Sequence, residues 1–125
     1  MINRFYRALG GTRSLPLPLK PDSAYHVQIA ENVIRLIRPD ETSEELQWDD
    51  LIRFEVEIRT CRNLEPDIYW VLISHSRNMI VPHKATGYGE LIKRLHGLPG
   101  FNHTSFSNAM TATRDATYII WCAKD

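Results

Sequence analysis

The chain of 125 residues holds only two cysteines, Cys61 and Cys122, and neither sits in a C-x-x-C pair. Two distant thiols make no disulfide framework, and without the pair the usual zinc and thioredoxin-type motifs are missing. Reduced thiols in a cytoplasmic protein are the expectation. No apolar run reaches the roughly 18 residues of a membrane span. The opening MINRFYRALGG carries positive charge but lacks the apolar stretch and small-residue cleavage site of a secretion signal, which also points to the cytoplasm. A basic excess is absent as well, since fifteen basic residues face fifteen acidic ones. Phosphate neutralisation supplies most of a nucleic-acid binder's affinity, so this balance argues against DNA or RNA as partner. Hydrolase elbow, Walker loop, HExxH helix and dinucleotide fingerprint are all lacking.

What is present is a soluble, globular composition, 43% hydrophobic and 24% charged. The length suits one domain with a core of its own. Residues 1–24 read as a separate arm, extended or partly disordered, ahead of a single domain over residues 25–125. Alternating prolines in Leu15-Pro16-Leu17-Pro18-Leu19-Lys20-Pro21 cannot join a helix or a central strand. Before them, Ile2, Phe5, Tyr6 and Leu9 recur at helical spacing around Arg4 and Arg7. That pattern suits an amphipathic contact to a membrane surface or partner through Arg4, Phe5 and Arg7. It equally suits a frayed or self-docked terminus, because so short a helical face binds weakly alone.

From Tyr25 onward the pattern is strand-rich. Tyr25, Val27 and Ile29 alternate with polar residues; a turn at Glu31-Asn32 leads to a strand from Val33 to Arg38. Pro39-Asp40-Glu41-Thr42 reads as a turn, and Glu44 to Trp48 as a short third strand. Leu51 to Thr60 alternates most regularly, with Arg53, Glu55, Glu57 and Arg59 on one face. Ile68 to Ser74 is apolar on both faces and reads as the central strand, followed by a hairpin to Met79-Ile80-Val81. After Pro82 the period becomes helical. Tyr88, Leu91, Ile92, Leu95 and Leu98 share a face, with Thr86 as the expected N-cap and Gly97 and Pro99 as stop signals. Asn102 is the expected cap of a second, shorter helix, stapled by Phe101 and Phe106, and Thr117 to Cys122 forms a last strand. The expected fold class is α+β: an antiparallel meander curled into a barrel or half-barrel, packed by one longer and one short helix, with a final strand.

The run LQWDDLIRFEVEI, the YWVLIS…MIVP hairpin and the helix ELIKRLHGL resemble small bacterial pleckstrin-homology-like (PH/GRAM-like) domains. The chain also looks similar to small uncharacterised bacterial proteins with W-D-D, D-x-x-W-x-L and L-P-G-F elements, here Trp48-Asp49-Asp50, Asp67 to Leu72 and Leu98 to Phe101. The resemblance covers about residues 25 to 122. It implies a barrel capped by a helix, and no activity or catalytic residue.

Asp49 and Asp50 are adjacent, so on a strand they would point to opposite faces and not share a substrate. They read instead as a strand-entry corner, an aspartate bonding backbone amides while Trp48 enters the core. Gly87-Tyr88-Gly89 could offer amides to an anion, but a phosphate cradle needs more glycines and a following lysine. Among the histidines, His75 and His83 flank one hairpin and could face each other; two imidazoles alone hold a metal poorly. No metal or cofactor is assigned. The expected role is a non-enzymatic binding domain that docks a protein segment through Arg53, Glu55, Glu57 and Arg59, together with Arg62 and Asp67 of the next loop. Alternatives are an immunity-type or inhibitor protein that neutralises an enzyme, and a peripheral module for lipid headgroups.

Overall fold

The computed structural model describes Pro18 and residues 21–60 and 65–124. Among these residues seven strands and two α-helices follow one another as β1 (His26–Ala30), β2 (Val33–Ile37), β3 (Ser43–Gln47), β4 (Leu51–Arg59), β5 (Asp67–Ser74), β6 (Asn78–Pro82), α1 (Tyr88–His96), α2 (His103–Met110) and β7 (Ala116–Cys122). The α+β class is as the alternation and late helices imply. Among the described residues the strands form two antiparallel sheets, β1-β2-β3 and β6-β5-β4-β7, in place of one continuous meander.

The break falls at Trp48–Asp50, a single 3-10 turn. Trp48 N–H donates to the Asn32 carbonyl at 2.7 Å, holding the turn to the first sheet. Asp50 offers its carbonyl to His75 N–H at 3.2 Å, holding it to the second. The expected corner is therefore there, but the described bonds that fix it come from backbone atoms and not from an aspartate side chain. Trp48 is half-buried and packs on the main core without being swallowed by it.

Alternation explains the inner face of β4. Phe54, Val56 and Ile58 are fully buried and meet Trp70 and Leu72 of β5, Met79 and Val81 of β6 and Ile120 of β7. The first sheet adds Val27, Ile34, Leu36 and Leu46, and α1 adds Leu91 and Leu95. Burial of each such side chain contributes about 1.5–3 kcal/mol. Trp70 stacks on Phe106 of α2 at 5.8 Å and donates its indole N–H to the His83 carbonyl at 3.2 Å. This satisfies the polar end of a buried ring.

The helices begin differently from each other. Asn102 caps α2 as its sequence implies, accepting Ser105 N–H at 2.9 Å, and Phe101 meets Phe106 at 5.5 Å. Thr86 does not cap α1. It bridges to His26 of β1, and its hydroxyl donates to the Ser23 carbonyl. Gly87 takes the cap position with φ 91°, and a Cβ there would lie 2.3 Å from the Val27 carbonyl oxygen. Glycine is required because α1 starts directly against β1.

β7 arrives from the far end of the chain to pair with β4, so β4 as well as β5 becomes an internal strand. Asp115 fastens that junction, accepting Thr60 N–H at 2.7 Å and its hydroxyl at 2.6 Å. Those hydrogen bonds hold the Asp115 carboxyl below its ordinary value. No helix among the described residues is long and apolar enough to cross a membrane.

Candidate functional site

The outer face of the β6-β5-β4-β7 sheet carries five of the six residues that the sequence nominates in and after β4. Arg53, Glu55, Glu57 and Arg59 form one row along β4. Ile73, Val71 and Tyr69 of β5 lie opposite the first three, and Cys122, Ile119 and Thr117 of β7 flank those three on the other side. The centre of this row is not wet. Glu55 retains 2% of its surface and Glu57 5%, although alternation alone would leave a charged strand face to solvent. Their neighbours Tyr69, Val71 and Ile80 are buried as well and form a second apolar cluster.

A buried carboxylate must be paired or it protonates. The pairing runs along the strand: Arg53 Nη1 donates to Glu55 Oε2 at 3.0 Å, and Arg59 Nε donates to the Glu57 carboxylate. Both arginine side chains keep about a third of their surface, 37% and 34%. The row thus has carboxylates at its covered centre and guanidinium groups at its two open ends. Across the ladder Arg53 faces Ile73 and Cys122, and Glu55 faces Val71 and Ile119.

Asp67, the fifth nominated residue, opens β5 opposite Arg59 and lines a cleft of about 490 Å³ at that end of the sheet. Asp22, Glu65, His83 and Lys84 converge there with it. The sequence pattern misses this grouping, because Asp22 and the pair His83-Lys84 come from segments about 60 residues apart and neither carries a local motif. His83 packs edge-on against Trp70 at 5.1 Å. Among the described residues lining the cleft there is no hydroxyl or thiol side chain to act as a nucleophile beside that imidazole.

Arg62, Arg4, Phe5 and Arg7 lie outside the described residues. His75 and His83 do not face each other: His75 lies in the turn after β5, while His83 follows β6 at the opposite end of the hairpin. The fold instead brings His96 of α1 within 5.4 Å of His103 of α2, both against Phe101. Burial, and then the neighbouring His103, hold the His96 imidazole below its ordinary value. No group of three or more metal-ligating side chains converges among the described residues.

The face and the cleft adjoin. Asp67 and Tyr69 belong to one strand, and Pro82, which precedes His83, pairs with Tyr69. Comparison of the chain with protein-family models, curated proteins and solved structures finds no match.

Proposed function

We propose that the protein is a non-enzymatic binding domain whose outer β6-β5-β4-β7 face docks a basic, partly apolar protein segment. The observation that supports this is the placement of Glu55 and Glu57 at a covered centre, between the apolar rows of β5 and β7. A carboxylate held in low-dielectric surroundings attracts a guanidinium strongly, and the flanking apolar side chains give such a segment surface to bury. Arg53 and Arg59 at the ends favour a short occupant and penalise an acidic one. A pleckstrin-homology-like ancestry belongs to the same proposal, on the strength of antiparallel strands preceding a packing helix.

The test is a set of synthetic peptides that alternate arginine with aromatic or aliphatic residues, titrated calorimetrically against the wild type and a Glu55→Gln/Glu57→Gln variant. Binding to the wild type that weakens at least about tenfold in the variant supports the reading, a change of about 1.4 kcal/mol. Absence of binding by every arginine-containing peptide would sink it. Capture of phosphatidylserine vesicles in place of peptides would replace the protein segment with a lipid surface.

A further inference from the structure

An unpaired sheet edge offers its amides and carbonyls to any extended chain. Among the described residues the two sheets end on β1, β3, β6 and β7, and three of these edges are at least partly closed. On β1, Val27 N–H donates to the Thr86 carbonyl and Thr86 N–H to the Tyr25 carbonyl, both at 2.8 Å. On β7, the Ile120 carbonyl accepts Asn102 N–H at 2.8 Å, and the Trp121 indole donates to the Pro99 carbonyl at 2.9 Å. β6 ends on Pro82, which has no N–H and whose carbonyl accepts Ala85 N–H. β3 has no proline, and among the described residues no backbone bond covers its outer side.

The register shows which groups β3 leaves open. Arg38 N–H donates to the Thr42 carbonyl and Trp48 N–H to the Asn32 carbonyl, one at each end of the β2–β3 ladder. Bonded pairs recur at every second residue between them, so Glu44 and Leu46 turn their backbone groups to β2. Ser43, Glu45 and Gln47 turn theirs outward, and all three residues are exposed. A groove of about 460 Å³ lies along this edge, lined by Ser43 to Gln47 and, from the turn between β5 and β6, by Ser76 and Arg77.

Charge selects the occupant. Glu44 and Glu45 are already held by Arg38 and Arg35. Arg77 is exposed, and its guanidinium is paired with no carboxylate among the described residues. A second copy of the chain fits poorly, because antiparallel pairing through all three outward residues would set Glu45 directly against Glu45, and like charges so placed repel.

We infer that the β3 edge takes up an extended segment of a partner protein as a further strand of the first sheet, with an acidic side chain of that segment reaching Arg77. Main-chain bonds to Ser43, Glu45 and Gln47 supply the affinity, and the carboxylate–guanidinium contact supplies the choice of segment. This site lies apart from the outer face of the second sheet and takes an occupant of opposite charge, so the two readings stand or fall separately.

The experiment titrates the isotopically labelled full chain with capped peptides of alternating valine and threonine, about seven residues long to span β3. One threonine is replaced by glutamate, at a different position in each peptide. Amide exchange at Ser43, Glu45 and Gln47 should be fast in the free protein and slow at least about tenfold with a bound peptide. Methylating one alternate set of peptide nitrogens should abolish this, and methylating the other set should spare it. Arg77→Glu should move the preference from glutamate to lysine at the same peptide position. Slow exchange at the three amides in dilute free protein overturns the inference, as does the absence of slowing with every peptide. Protection that appears on concentrating the protein alone also overturns it, because a second copy then fills the edge. Equal sensitivity to both methylated sets would mean that the peptide does not add as a strand. Binding of the glutamate peptides unchanged by Arg77→Glu overturns the role of Arg77.

Discussion

Arg94 of α1 places its guanidinium carbon 4.3 Å from the centre of the Trp48 ring. The same group donates to the carbonyls of Ala30 at 3.4 Å and Glu31 at 2.8 Å. One side chain thus ties the helix to the β1–β2 turn and to the corner between the two sheets. Replacing it by alanine is expected to cost about 1–2 kcal/mol in urea denaturation. Arg94→Lys should recover only part of this, because an ammonium lacks the planar fork that stacks and bonds together. An alanine variant as stable as wild type would show that the corner is held without Arg94.

The two faces of β4 and β7 differ sharply in tolerance. Phe54 is fully buried, so Phe54→Asp is expected to unfold the domain at room temperature, a core charge costing several kcal/mol. Ile119, half-exposed on the outer side, should accept threonine at a cost within about 1 kcal/mol. Circular dichroism melts of both variants check this. A folded Phe54→Asp protein would mean that the inner face is misassigned.

Gly87 and Gly89, two positions apart, should behave in opposite ways. Gly87→Ala adds a methyl 2.3 Å from the Val27 carbonyl oxygen at a φ of 91°, and should cost more than about 2 kcal/mol. Gly89→Ala meets nothing within 4 Å and should be neutral or stabilising by up to about 1 kcal/mol. Equal stability of the two variants in chemical denaturation would contradict the close approach of α1 to β1.

His96 gives the fold a pH dependence of defined sign. Its imidazole is held below the ordinary 6.5 by burial and by His103, so the folded state binds fewer protons there than the unfolded chain. Stability should therefore fall as pH drops below about 6.5 and level off once the folded-state value is passed. His103→Gln removes the second cause and should move the His96 titration upward, as read from its ring-proton shift. A wild-type His96 that titrates at or above 6.5 would refute this.

Much of the secondary structure was legible from periodicity. The β4 alternation, the hairpin between β5 and β6, the Asn102 cap and the Phe101–Phe106 staple all rest on local spacing, which local backbone geometry enforces. The Thr86 cap was misread, since β1 claims that residue through a bridge to His26 that lies 60 positions away. The cleft of Asp22, Asp67 and His83 was illegible for the same reason, and so was the meeting of His96 with His103. Such neighbours are set by how the elements pack and leave no pattern in any one segment.

On β4 the sequence alone determined which residues share a side: a two-residue repeat sends Phe54, Val56 and Ile58 one way and Arg53, Glu55, Glu57 and Arg59 the other. Only the tertiary structure decided that the second side would also be closed to water. Period fixes direction, whereas burial depends on what is layered against a face. Here the centre of the charged row of β4 lies covered at Glu55 and Glu57, while Arg53 and Arg59 at its ends stay partly open.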